Sequence, residues 1–415
     1  MKVLSYETAG GQTATYVDRK RPFWAMALLY ALAPFAGIAL HAWTGLEITL
    51  FLPLAFTYVV APVIDLFLGE DTDNPPDQVV SSLEEDSYYR VLTYAVVPLA
   101  YLELLGTAYW VGTHHLTWGV LALGLGAGVT GGLCITTGHE LGHKTSSLEK
   151  WLSKIILAIP AYGHFWVDHN RCHHRDVATP EDPVSARMGE SIYRFALREI
   201  PGAMRRSWLS ERERVRRKKL PIWQNEIIQS YAISALLQGG LIAAFGPVMV
   251  PFLLLHNAQA WWLLTSANYL EHYGLLRLRE PSGRLERCKP HHSWNCNRVC
   301  TNLLLFHLER HSDHHAYPSR RYQSLRNFED LPRLPSGYLG MFSIACVPWL
   351  WFRIMDPRLM KLTHVAGDLN RINIDPSRRA ALFARYGQRD LSAEANPAPT
   401  EPPEGIFQAV DGGAQ

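Results

Sequence analysis

Eighteen histidines occur in the 415-residue chain, and nine of them fall into four short groups. His139 and His143 stand four apart in HELGHK, His169, His173 and His174 share HNRCHH, His311, His314 and His315 share HSDHH, and His272 is alone in NYLEHYG. On a helix, residues four apart lie one turn above each other, with Cβ atoms about 5–6 Å apart. His139 and His143 can therefore reach one ion, and each triple group can offer three nitrogens. Nine imidazoles exceed the four donors of a closed zinc site and fit two metals with four or five nitrogens each.

Imidazole suits Zn, Cu, Fe and Ni alike, so ligand type alone does not choose the metal. A site where a membrane bundle meets water suits oxidation of a lipid-dissolved substrate. Only a redox-active ion such as iron can activate O2 there; zinc cannot. Neutral imidazoles leave two Fe(II) uncompensated, so the adjacent acids Glu140, Asp168, Asp176, Glu271 and Asp313 are candidates to hydrogen-bond ligand N–H groups; surface solvation or helix capping is the plainer reading of each. His164, His292 and His307 are ambiguous. His41, His114, His115, His256 and His364 read as packed or solvated residues.

His139 to His143 is also H-E-x-x-H, the zinc metalloprotease pattern, but such a site needs only one further ligand and has no use for two more triple groups. A carboxylate-bridged di-iron bundle would need two Glu-x-x-His pairs, and only Glu140 to His143 has that look. A metal transporter would carry ionisable residues near mid-membrane, where only Asp65 and Glu103 come close. Cys288, Cys296 and Cys300 flank His291 and His292 without the paired C-x-x-C knuckles of a zinc site.

Long apolar runs must hold these groups: Phe23 to Trp43 and Leu116 to Thr136 are each uncharged over 21 residues, enough to cross roughly 30 Å of hydrocarbon as a helix. Ile48 to Leu68, Val91 to Val111, Ile227 to Phe245 and Pro247 to Tyr269 are similar, interrupted only by Asp65 and Glu103. The expectation is an all-α integral membrane protein of six spans, with a cytosolic helical cap holding the histidines. The mean hydropathy of −0.06 hides this by averaging apolar runs with a polar second half.

Arg19, Lys20 and Arg21 precede the first span, and the loops 41–47 and 112–115 carry no Lys or Arg, so the amino terminus is expected in the cytosol. The divisions are a 1–22 segment, spans over 23–136, a cytosolic 137–226 segment with the first two boxes, and spans over 227–269. A cytosolic 270–390 segment with His272 and the third box follows, then a Pro-rich 391–415 tail or linker. The loop 69–89 reads as a solvated connection. The basic run Arg205 to Lys219 reads as a membrane anchor or as a dock for an acidic electron carrier. A formal net charge of +2 gives no reason to expect a nucleic acid. Phe51, Phe56 and Tyr58 on the second span are candidates for setting a substrate channel's depth, with plain packing as the alternative.

The chain resembles the membrane alkane 1-monooxygenases of the fatty acid desaturase and hydroxylase superfamily, over about positions 16 to 387. The resemblance lies in HELGHK, HNRCHH with RDVATPEDPVSAR, NYLEHYG and ERHSDHHAYPSRRYQ. It implies two non-haem Fe ions held by His139, His143, His169, His173, His174, His272, His311, His314 and His315, with no haem or flavin in the chain. It also implies O2 and a medium-chain linear alkane from the lipid phase as substrates, a 1-alkanol as product, and location in the cytoplasmic membrane. Electrons would come from rubredoxin, separate or fused beyond the tail, itself reduced by an NADH-dependent rubredoxin reductase. Xylene-type methyl hydroxylases and fatty acyl desaturases of the same superfamily are the neighbouring alternatives. Asp168 stands where Glu is usual, and Cys172 where Gly is usual.

Overall fold

The apolar runs fold as helices because in hydrocarbon each backbone N–H and C=O must be bonded within its own segment. In the computed structural model, which describes residues 2–391, four helices are long and apolar enough to cross a membrane: Glu47–Leu68, Ser87–Thr113, Gly119–Gly142 and Glu226–Phe245. The first expected span is a bent pair, Arg21–Ala31 and Ala33–Thr44, kinked by 53°. Leu32 leaves helical geometry at the break, and Pro34 sits in the first turn beyond it; lacking an N–H, it cannot continue the preceding helix's bonding. Counted as one span, the pair brings the number to five.

The sixth expected span forms the helix Met249–His272 but is not apolar enough to count as a span by composition. Its His256, Gln259, Thr265, Ser266 and Asn268 are buried against protein, Gln259 donating to Tyr58 Oη at 2.9 Å and Thr265 to Glu199 at 2.8 Å. A helix sheathed by other helices can carry polar groups that lipid would not tolerate.

This helix runs along Gly119–Gly142. A Cβ at Gly128 would lie 2.6 Å from the His256 carbonyl oxygen, and one at Gly131 2.8 Å from Ala260 Cβ, so only small residues allow the approach. Gly124 faces Phe252 and Leu255, Gly128 faces Gln259 and Gly132 faces Leu263. The contacts climb together, the two helices are parallel, and His139, His143 and His272 emerge side by side from their carboxyl ends.

The polar segments pack over that end. Helix Ile192–Arg217 and the short helices Phe165–Asp168, Val299–Leu304, His311–Ala316 and Tyr338–Ala345 enclose it. Two expectations are corrected here. The chain is not all-α: Lys2–Glu7 pairs antiparallel with Thr13–Asp18, and the half-buried Leu4, Tyr6, Ala14 and Tyr16 alternate with exposed neighbours as on a strand. The 69–89 loop is not merely solvated, since Asp77–Glu85 is a helix with Val79 and Leu83 buried, and the Asp71 carbonyl accepts from the buried Arg310 at 2.8 Å. The tail from residue 392 onward lies outside the described residues.

Candidate metal centre

Helix geometry aims the histidines. His139 and His143 end Gly119–Gly142, and His311, His314 and His315 share one face of His311–Ala316, because steps of three and four residues return within about 60° at 3.6 residues per turn. The second box needs a further device. In a regular helix His174 would point about 140° away from His169. His169–His173 is a π-turn, the His174 N–H bonding back to the His169 carbonyl; the wider turn, about 4.4 residues, places His173 and His174 on either side of His169.

The nitrogens converge into two groups. His139, His143, His169 and His314 have ligand atoms within 4.8 Å of one another, and so do His173, His272, His311 and His315. His174 joins the first group, its Nε2 lying 3.0 Å from that of His169 and 3.2 Å from that of His314. His139 and His314 approach at 2.9 Å, His311 and His315 at 2.9 Å, and His272 and His311 at 3.3 Å, in each case Nε2 to Nε2. Nitrogens bound about 2.1 Å from a shared ion and about 90–110° apart stand roughly 3.0–3.4 Å from each other, so the spacing fits metal-holding clusters. His143 Nε2 is buried without a protein partner, as a donor awaiting an ion would be. Burial first, and then neighbouring histidines, push His143, His169, His174, His311, His314 and His315 well below the usual imidazole range, toward the neutral form that binds metal.

Behind the rings, the five acids proposed from sequence mostly find other partners. Glu140 pairs with Lys144 at 3.0 Å, Asp168 with Arg206 at 2.9 Å, Asp176 with Arg175 at 2.7 Å, and Asp313 with Arg320 at 2.6 Å. None of these four is hydrogen-bonded to a clustered imidazole. Glu140, committed to Lys144, is also not free to serve as the base of a metalloprotease. Glu271 alone reaches the clusters, 3.4 Å from His311 Nε2.

The carboxylate that orients a ring is Asp182, in ATPEDP. It accepts from His173 Nδ1 at 2.9 Å, Ser185 Oγ at 2.7 Å and Arg206 Nη1 at 2.6 Å. Burial raises its pKa, but His173, Arg206 and Ser185 overrule burial and hold it well below the usual carboxylate range. Sequence reading missed it because it lies nine residues from His173, brought back by a loop rather than a helix. His272 Nδ1 is fixed by the His292 carbonyl at 2.9 Å, and His307 lies apart, bonded to the Tyr322 carbonyl at 2.9 Å.

Glu286, His291 and His292 also gather. His292 Nδ1, however, accepts the Lys289 N–H at 2.9 Å, so only its Nε2, which lies 3.3 Å from Glu286 and has no hydrogen-bond partner, faces this group. No cysteine joins any such group among the described residues.

An apolar cavity ends at His139, His169, His311 and Glu271. It follows Gly119–Gly142 back to Val129 and Met249–His272 back to Leu263. From His139 to Val129 is about 15 Å at 1.5 Å per residue. Tyr30 lines it at the remote end, where Thr130 Oγ1 bonds the Ala31 carbonyl, and Tyr30 Oη bonds Thr57 Oγ1 at 2.9 Å. Phe51, Phe56 and Tyr58 do not line the cavity. Phe56 packs against Tyr30 with ring centroids 5.9 Å apart, and the Glu47–Leu68 helix supports the floor from behind. No Lys or Arg lines the cavity.

Comparison with known proteins accords with this architecture. Residues 116–345 match the fatty acid desaturase family. Alkane 1-monooxygenase 1 of Alcanivorax borkumensis is 51% identical over 376 residues, 90% of this chain and 92% of that protein. Alkane 1-monooxygenase of Pseudomonas putida is 50% identical over 375 residues, 89% of this chain and 92% of that one. The xylene/toluene monooxygenase hydroxylase component of Pseudomonas putida is more distant, 26% identical over 261 residues, 62% of this chain and 64% of that protein. With half its residues shared along nearly its whole length, and with its histidines converged at the end of an apolar cavity, the chain belongs to the alkane 1-monooxygenase family.

Proposed function

We propose that the protein hydroxylates the terminal carbon of medium-chain linear alkanes with O2 at a non-haem di-iron centre. The observation that carries this reading is the meeting of two imidazole groups with the inner end of an apolar, cation-free cavity. His139, His143, His169, His174 and His314 would hold one ion, and His173, His272, His311 and His315 the other. Bound iron would supply the redox change that lets O2 attack an unactivated C–H bond.

The chain's own residues do the rest. Leu133, Ile135, Leu263, Leu264 and Leu308 exclude water and confine the substrate lengthwise, so that its end, and not a weaker internal C–H bond, meets the metals. The absence of Lys and Arg from the cavity wall favours a hydrocarbon over a fatty acyl group, whose carboxylate would need a cation. Asp182 holds His173 with its Nδ1 protonated and its Nε2 lone pair free.

The electron donor in this reading is rubredoxin. Arg171, Arg175, Arg205, Arg214, Arg217 and Lys218 surround a groove whose wall includes Cys172, next to His173, a surface suited to an acidic carrier. The orientation is multi-pass in the cytoplasmic membrane, six spans with Met249–His272 as the sheathed sixth and the histidine-bearing segments in the cytosol, as the positive charge at Arg19 to Arg21 favours.

The test is metal analysis of detergent-purified protein, with turnover of octane under reduced rubredoxin and O2. Two iron per chain and 1-octanol are expected. Zinc in place of iron, or a desaturated product, would refute the reading.

A further inference from the structure

A second, smaller cavity adjoins the alkane cavity, sharing Phe165, His169, Leu264 and Asn268 as a common wall. It has room for about one water molecule. Beyond these it is lined by the polar Tyr162, His164, Asp168, His173 and Glu199 and by the apolar Val184 and Ala203. Tyr162 Oη and His164 Nε2 are buried without a protein partner, each on a residue 2% exposed. Buried polar atoms left unpaired are costly, and a small polar cavity offering several such groups is where an ordered water belongs.

Glu199 accepts from Thr265 Oγ1 at 2.8 Å and from Asn268 Nδ2 at 3.2 Å, with lone pairs to spare on both oxygens. It is bonded to no clustered histidine. On the other side, Asp168 grips Arg206 at 2.9 Å, and Arg206 lines the wide basic groove. Basic groove, polar cavity and alkane cavity thus follow one another, each boundary a single layer of side chains.

We propose that the polar cavity is a proton-delivery route, in which water exchanges protons with Glu199 and carries them past Asn268 to the oxygen-reacting end of the alkane cavity. This rests on the monooxygenase reading, whose balance is alkane + O2 + two electrons + two protons giving alkanol + water. The terminal C–H and the O–O bond break, one oxygen becomes the hydroxyl and the other takes the two protons, and the electrons come from the acidic carrier protein. The route supplies those protons to a site whose walls are otherwise dry.

Glu199 is suited to the task. Burial raises its pKa to about 7, with Asp168 adding to the rise and Thr265, Asn268 and Arg198 opposing it, so the carboxyl can both hold and release a proton near neutrality. Glu199 acts through water and is a positioning and relay group; it does not touch the alkane.

The experiment compares the full iron-loaded chain with Glu199→Gln, with Glu199→Asp, and with Ala203→Val, which narrows the cavity but keeps the carboxyl. Infrared spectra should show a protonated-carboxyl band that titrates near neutrality, shifts in D2O and vanishes in Glu199→Gln. In turnover, Glu199→Gln and Ala203→Val should keep their iron and their KM for alkane while kcat falls about tenfold or more. The wild-type decline of kcat above pH 7 should be absent from Glu199→Gln, and Glu199→Asp should restore part of the rate. Wild-type kcat and pH profile in Glu199→Gln, or no deuterium-sensitive band assignable to Glu199, overturns the proposal; so does loss of iron in both Glu199→Gln and Ala203→Val, which would mark a structural role. A wild type that binds iron and shows the band yet makes no alkanol would refute the monooxygenase reading instead, and the relay with it.

Discussion

Replacing Asp182 with Asn tests whether the second group of histidines depends on a carboxylate that no helix places beside it. Oδ2 accepts from His173 Nδ1 and Ser185 Oγ, and Oδ1 accepts from Arg206 Nη1 at 2.6 Å and from the Val184 N–H at 3.2 Å. Every neighbour is a donor. An asparagine carries one NH2, so whichever way it turns, two donors meet: NH2 against Arg206, or NH2 against the His173 N–H. In the second case the ring can escape by moving its proton to Nε2, which removes the lone pair facing the metal. Losing such an outer partner weakens metal binding about 10–100-fold, or about 1.4–2.8 kcal/mol. Chelator competition on the purified protein should therefore release one iron per chain early, the ion held by His173, His272, His311 and His315, with the other retained. Asp176→Asn is the control: Asp176 is nearer in sequence to the histidines but is paired with Arg175, and it should behave as wild type. Equal iron retention by Asp182→Asn and wild type would refute the reasoning.

Two further predictions concern the helices around the cavity. Tyr30→Ala should move the preferred alkane longer by roughly three or four carbons, because the lost ring spans about 5 Å and each C–C bond advances about 1.25 Å. Phe56→Ala, behind the floor, should change the product profile less, and the reverse order in gas chromatography of mixed-alkane turnovers would move the floor to Phe56. Gly128→Ala should destabilise by about 1–3 kcal/mol as overpacking, since its Cβ would meet the His256 carbonyl and Gln259 Cβ at 2.6 Å. Gly239→Ala, with open space around it, should not. Thermal unfolding in detergent separates the two, and equal midpoints would count against the close parallel packing.

Much of the site was legible because helical periodicity is local. His139 with His143, and His311 with His314 and His315, share helix faces by spacing alone, and His272 follows from its place at the end of an apolar run. The spans were legible for the same reason where they face outward, as in Glu226–Phe245, little of which is buried inside the protein. Met249–His272 is helical as its uncharged run implies, but its buried polar residues answer to protein neighbours, which the sequence does not show. The break at Leu32 is carried by Pro34 in the first turn beyond it, which a count of apolar residues does not register. Acids adjacent in sequence proved to be the wrong partners: Glu140, Asp168, Asp176 and Asp313 are drawn to Lys144, Arg206, Arg175 and Arg320, while Asp182 arrives through a loop.

The sequence by itself determined the donor types, their number and the end of the bundle at which they gather. Only tertiary structure decided which histidines gather with which. His173 and His174, adjacent in sequence, belong to different groups, and so do His314 and His315. The reason is geometric: neighbouring side chains on a helix diverge by about 100°, so each HH pair straddles the two groups, and its partners are set by how the box segments pack across the ends of the two parallel helices.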